Sequence, residues 1–299
     1  MSTIFLVLTF VLLALVFLKL DAIVASKKFQ FPDKGQYLKI KHFNIFYKQM
    51  GTGKNIILLH GLGASLDVWK DTALILSKNY RVTLIDLPGF GRSTKSRHQN
   101  YGLDEQTERL VNIIDKLQIN EATLVGSSMG GTLALWTTQK FPERFKKIVA
   151  IGPATNPKLV PLPVFKVPGL SILAVLLTNR IVMGYSIRHV LYNRPIDLSR
   201  RILLALKNYQ PEFASMYVLL KASKLIADKR LPQQLEKIQS VSLVLWGEED
   251  RVIPRMYIDE LKSILPKASF FSHPEGGHHL MEDQPKWVSS KIIEFLQGH

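Results

Sequence analysis

The sequence of 299 residues contains no cysteine. That excludes disulfide staples, thiolate nucleophiles and cysteine-bound metals, although it does not fix the compartment. No basic run with interleaved aromatics occurs, so the net charge of +15 does not point to nucleic acid. An anionic membrane surface is the other reading of that charge. Internal repeats and low-complexity tracts are missing, and nothing suggests a metal or an organic cofactor. With 46% apolar and 21% charged residues, the composition is globular. The length suits one large α/β domain, or a core with an inserted cap.

Charge is also missing from Thr3 to Leu18 (TIFLVLTFVLLALVFL), a run bounded by Lys19 and Asp21. Its sixteen residues fall just short of the roughly 17–25 that a spanning helix needs. Lys19 can snorkel, and Leu20, Ala22, Ile23 and Val24 can lengthen the buried part. Residues 1–25 are therefore expected to form a membrane anchor. Basic residues ahead of the run, usual in a secretory signal, are lacking; cleavage after Ala25, giving a secreted or periplasmic protein, is the alternative. Lys19, Lys27 and Lys28 follow the run, so the positive-inside bias places the bulk of the chain in the cytoplasm.

After a polar linker over Lys27 to Gly35, Tyr37–Ile40 and Phe43–Tyr47 alternate like a hairpin. Asn55–Leu59, Arg81–Ile85, Ala122–Val125, Lys147–Ile151 and Val241–Trp246 are short apolar runs of the kind covered on both faces of a parallel sheet. Ala268–Phe271 adds a last strand. Helical patterns fill the gaps: Leu66 to Lys78, a segment N-capped by Asp104 and running to about Leu117, Met129 to Gln139, and Trp287 to Leu296. Such alternation predicts a mostly parallel central sheet with helices on both faces. From Gly152 to about Gln239 it stops, and a helix-like, proline-opened block intervenes. The expected division is a core of 36–152 and 240–299 with a helical insertion over 153–239.

Gly126-Ser127-Ser128-Met129-Gly130 stands where a strand gives way to a helix. A sharp strand-to-helix turn exposes a serine Oγ, and glycines two residues either side prevent collisions. Ser128 is thus a candidate nucleophile, and the backbone N–H of Met129 faces the oxygen that becomes negative in acyl transfer. His60-Gly61-Leu62-Gly63 follows another strand, and the N–H of Leu62 would complete an oxyanion hole. Trp246-Gly247-Glu248-Glu249-Asp250 offers three carboxylates at a third strand end. Gly276-Gly277-His278-His279 offers two imidazoles at a fourth. Serine, acid, histidine is the chain order expected on such a sheet. The imidazole takes the serine proton, and the carboxylate holds its tautomer. Without those roles, the same segments read as an acidic surface loop and a pair of surface histidines.

Together these segments, with Asp86-Leu87-Pro88-Gly89-Phe90-Gly91-Arg92-Ser93 and Pro285, resemble the α/β-hydrolase superfamily over about Tyr37 to His299, the middle block excepted. The resemblance implies the α/β-hydrolase fold with an inserted helical cap. By its Gly-x-x-Asp pattern it selects Asp250 over Glu248 and Glu249, and by Gly-His it selects His278 over His279. It assigns the Asp86–Ser93 loop no chemistry. The N-terminal apolar run with Ser-Met-Gly-Gly is most similar to the membrane-bound monoacylglycerol lipases of that superfamily, or to a bacterial relative of them.

A serine nucleophile disfavours the branches of that superfamily that attack with aspartate. The expected activity is hydrolysis of carboxylic esters, lipid-like or acylglycerol, through an acyl-enzyme on Ser128. The alternatives are carbon–carbon bond hydrolysis, haloperoxidase-like or amidase chemistry, and a non-catalytic binding protein on the same scaffold. The long, nearly uncharged stretch Val160–Leu177 and the basic excess of the middle block suit an acidic bilayer surface, or equally a cap helix packed on the core with a plain solvated face.

Overall fold

The computed structural model describes residues 3–28, 35–159, 179–193, 198–208 and 213–298. Strands β1 (Gln36–Ile40), β2 (Phe43–Met50), β3 (Asn55–Leu59), β4 (Arg81–Ile85), β5 (Thr123–Ser127), β6 (Lys147–Ile151), β7 (Val241–Gly247) and β8 (Ser269–His273) form one sheet in the order β1-β2-β4-β3-β5-β6-β7-β8. The β1–β2 hairpin and the β2–β4 pairing are antiparallel, and every later pairing is parallel. Because successive side chains leave a strand on opposite faces, the apolar runs split cleanly into two cores. Ile57, Leu59, Leu124, Ala150 and Val244 join one; Ile56, Leu58, Val125, Val149 and Leu245 join the other.

The helices are α1 (Thr3–Lys28), α2 (Lys70–Leu76), α3 (Leu103–Lys116), α4 (Met129–Lys140), α5 (Arg180–Ser186), α6 (Leu198–Asn208), α7 (Phe213–Ile226), α8 (Leu231–Leu235), α9 (Arg255–Ile264), α10 (Leu280–Asp283) and α11 (Pro285–Gln297). Leu110, Ile113, Leu133, Val218, Leu231 and Ile258 cover one face of the sheet from α3, α4 and α7–α9. Ala73 and Leu76 of α2, with Val288 and Ile292 of α11, cover the other. Helices α5–α8 all lie between β6 and β7, and a wider π-helical stretch at Ile187–Leu191 continues α5. The stretch Val160–Leu177, expected to be apolar cap surface, lies outside the described residues.

Two local expectations are corrected. The helix after β4 caps at Gly102, not Asp104: Asp104 sits in the first turn of α3 and pairs with Lys140 and Arg230. Tertiary cations took a carboxylate that local pattern had reserved for the helix end. The second concerns the N-terminus. Among the described residues no helix is long and apolar enough to cross a membrane, so the spanning anchor is not supported. Its uncharged run covers only about 24 Å at 1.5 Å per residue, against a hydrocarbon core of about 30 Å. Of the residues expected to extend it, Ala22 packs inward, whereas Leu20 and Val24 stay more than half exposed. Ala22 and Lys19 are buried, α1 lies on α6, and Asp21 faces Arg180 at 3.8 Å. Lys27, read as linker, ends up inside α1.

Candidate active site

The turn between β5 and α4 carries Ser128 at φ 52°, ψ −121°, a backbone conformation that a side chain rarely tolerates. A Cβ at Gly126 would lie 2.2 Å from the Gly130 carbonyl oxygen, and one at Gly130 would lie 2.4 Å from that of Leu59. The two glycines therefore let the turn close against β3. The Ser128 N–H donates to the Ile151 carbonyl at 2.9 Å, holding the strained residue against β6. Met129 opens α4, so its N–H belongs to the donors that a helix leaves unpaired at its start.

Asp250 follows β7 and is nearly sealed, with 1% of its side chain exposed. Its Oδ1 accepts the backbone N–H groups of Val252 and Ile253, each at 2.8 Å, and its Oδ2 meets His278 Nδ1 at 2.8 Å. The carboxylate is thus fixed by the backbone on one oxygen and spent on the imidazole with the other. Neighbouring Glu248 and Glu249 are exposed; Glu248 bonds Ser272, and Glu249 lies 4.0 Å from Arg251. Of the three candidate acids only Asp250 turns inward.

Ser128, His278 and Leu62 line one cavity of about 220 Å³. Most of its wall is aliphatic: Val68 and Met281 contribute from the core, and Ile187, Leu191, Leu204 and Ala205 from the helices between β6 and β7. Beside Ser128 and His278, the polar part of the wall holds Tyr192 and Arg201, which sequence reasoning missed, and His279, which it set aside. His279 is no surface histidine. Its Nδ1 meets Glu282 at 2.8 Å, and Glu282 also binds the Tyr192 hydroxyl and Arg201. Burial, followed by the adjacent Glu282 charge, pushes the Tyr192 hydroxyl well above the usual tyrosine range. Only the His279–Glu282 pair has a local spacing, three residues apart; Tyr192 and Arg201 reach Glu282 from segments 90 and 81 residues away, which no spacing signals.

Two further buried groups shape the loops. His60 accepts the Leu87 N–H through Nε2 at 3.0 Å, and its Nδ1 lies 2.8 Å from the Gly61 carbonyl, which requires the proton on Nδ1. Burial lowers its pKa. Asp86 accepts the N–H groups of Leu66 and Arg92, both at 2.7 Å, and pairs with the Arg92 side chain. These bonds tie the Leu62 loop to the Asp86–Ser93 loop, a scaffolding role. Among the described residues no group of three or more metal-ligating side chains occurs.

The arrangement has relatives. A family profile described as alpha/beta hydrolase fold matches residues 54–285. The hydrolase YugF of Bacillus subtilis is 26% identical over 267 residues, covering 85% of this chain and 94% of its own. A 2-hydroxy-6-oxononadienedioate/2-hydroxy-6-oxononatrienedioate hydrolase of Paraburkholderia phymatum is 27% identical over 271 residues, covering 84% and 90%. Among solved structures, a bacterial membrane phospholipase A superposes with a TM-score of 0.72 at 24% identity, covering 99% of each chain. The matched span takes in the strained serine turn, the Asp250–His278 pair and the strands β3 to β8 that present them, and the chain belongs to the alpha/beta hydrolase family.

Proposed function

We propose that the protein is a serine hydrolase of carboxylic esters, with an apolar acyl group held in the cavity. The observation that carries this reading is the convergence of Ser128, on a strained turn, with the carboxylate-backed His278 in one largely aliphatic pocket. In the proposed reaction Ser128 Oγ attacks the ester carbonyl and His278 takes its proton. The N–H groups of Leu62 and Met129 stabilise the oxyanion. The alcohol leaves with the proton from His278, and a water then hydrolyses the acyl-enzyme by the same route. Asp250 holds the Nδ1–H tautomer throughout. The helices between β6 and β7 act as a cap over this pocket. About 220 Å³ is small beside the roughly 300–1,000 Å³ of drug-sized pockets, which favours short or medium acyl groups.

A second reading is carbon–carbon bond hydrolysis, favoured by relatives such as the Paraburkholderia enzyme. The discriminating experiment pairs p-nitrophenyl esters of rising acyl length and monoacylglycerols with a 2-hydroxy-6-oxo-dienoate, with fluorophosphonate labelling of Ser128 as the control for a live nucleophile. Faster turnover of the dienoate would overturn the ester assignment. No labelling at all would favour a binding protein. For the N-terminus we propose contact with a lipid surface without a crossing, because Phe10, Leu13 and Phe17 of α1 and Ile181 and Tyr185 of α5 are all more than half exposed. Failure of the full chain to float with anionic vesicles would refute that contact.

A further inference from the structure

The loop that carries His278 is held from two sides. Toward the acid loop, the Glu249 N–H donates to the Gly276 carbonyl at 3.0 Å. Toward the helices between β6 and β7, the His279 N–H donates to the Leu191 carbonyl at 3.0 Å, and the Asn193 side-chain amide donates to the Glu275 carbonyl at 3.1 Å. At the centre of this second seam stands Asp283, the last residue of α10. Its Oδ2 accepts the Gly277 N–H at 2.9 Å and the Asn193 N–H at 3.1 Å. Gly277 is the residue immediately before His278. A Cβ on Gly277 would lie 2.7 Å from the Asn193 nitrogen and 2.9 Å from Asp283 Oδ2, so the three groups meet with no room for a side chain.

Asp283 is an expensive residue to place there. Its other oxygen, Oδ1, is buried without a hydrogen-bond partner among the described residues, and burying a carboxylate that is only partly satisfied is unfavourable. Burial raises its pKa despite the two N–H donors that oppose the rise. The two N–H donors, with the nearby His279 and Arg201 groups, offset part of that cost. In return a single oxygen fixes the peptide before His278 and the segment Leu191–Asn193, whose Leu191 and Tyr192 wall the cavity.

We propose that Asp283 is a positioning residue, which sets the His278 loop against the cavity wall so that the imidazole is aligned on Ser128. This rests on the serine-hydrolase reading. It gives the α10 carboxylate a task separate from that of Asp250: Asp250 orients the ring, and Asp283 orients the backbone that bears it. Alignment within a fraction of an ångström is what proton transfer needs, and small misplacements reduce kcat strongly.

The test uses the full chain with Asp283→Asn, which keeps an oxygen for the two N–H groups, and Asp283→Leu, which removes the acceptor. Activity on a short p-nitrophenyl ester is expressed per serine labelled to completion by a fluorophosphonate, so that misfolded protein does not count. Asp283→Leu is expected to lower kcat per labelled serine about 10- to 100-fold with KM changed less than about threefold, a range set by the cost of misalignment. Asp283→Asn is expected to stay within about threefold of wild type, the rescue that a hydrogen-bonding role requires. If the leucine variant does not fold, Asp283→Ser, too short to reach both donors, carries the same expectation. A purely structural role would lower the labelled fraction or the melting temperature and leave kcat per labelled serine unchanged, which overturns the proposal. So does an asparagine variant as impaired as the leucine one. A wild-type protein that neither labels at Ser128 nor cleaves the ester overturns the hydrolase reading and this role with it, whereas normal labelling with indifferent variants overturns this role alone.

Discussion

Replacing Asp250 by asparagine tests the proposed chemistry with the fold left nearly untouched. Asp250 Oδ1 faces two backbone donors, the N–H groups of Val252 and Ile253 at 2.8 Å each. An asparagine at this site has to keep its oxygen there, since an amide NH₂ would point donors at donors. The NH₂ is then forced onto the other position, 2.8 Å from His278 Nδ1. That nitrogen must accept, so the ring proton moves to Nε2 and the lone pair that takes the Ser128 proton is lost. The wrong tautomer costs roughly 10⁴ in kcat in the serine-protease template, about 5 kcal/mol of barrier at about 1.36 kcal/mol per factor of ten. The two backbone bonds survive, so the loss of stability is bounded by one charge-assisted bond, about 1.5–3 kcal/mol. The assay is kcat on a p-nitrophenyl ester with a thermal melt of the same preparation. Retention of more than a tenth of wild-type kcat in a folded Asp250→Asn protein would refute the tautomer argument and the assignment of Asp250.

Ser128→Ala is expected to abolish fluorophosphonate labelling and ester turnover; more than a few per cent of residual activity in a clean preparation would exclude Ser128 as nucleophile. His278→Ala should be as damaging, since the two act as a unit, while His279→Ala should act mainly on stability, by about 1.5–3 kcal/mol, because Glu282 loses a buried donor; denaturant melts and kcat together separate the two cases. Tyr192→Phe removes the hydroxyl from the same carboxylate and should cost about 1–3 kcal/mol, with a null melt counting against the network. His60 gives a pH signature. Its folded pKa lies below the unfolded value of 6.5, so below that pH the unfolded chain binds a proton that the native state refuses. Stability present above pH 6.5 should therefore fall as the pH drops through that value toward the depressed folded pKa. Melts of wild type and His60→Gln between pH 5 and 8 check it: an equally steep acid loss in the variant would exclude His60 as its source.

What was legible in the sequence was local. Period-two alternation and unbroken apolar runs announced the strands because a strand buried on both faces has no place for a polar side chain, and the glycines flanking Ser128 announced the turn because no other residue clears the backbone there. The acid loop shows where this stops. Glu248, Glu249 and Asp250 are chemically near-equivalent in the chain, and family resemblance rather than physics picked one of them. In the folded protein the two N–H groups of Val252 and Ile253 hold the shortest of the three carboxylates inward.

The sequence by itself determined the sheet, the helix periods and the position of a strained serine, because backbone sterics and side-chain periodicity act over a few residues. Only the tertiary structure decided which charges pair. It drew Asp104 off the helix cap to Arg230, brought His279 and Glu282 to Tyr192 and Arg201, and turned the end of the apolar N-terminal run against α6. Such partners lie tens to more than a hundred residues apart, and the energy of a polar contact depends on burial and distance in space. Neither quantity exists until the chain has folded.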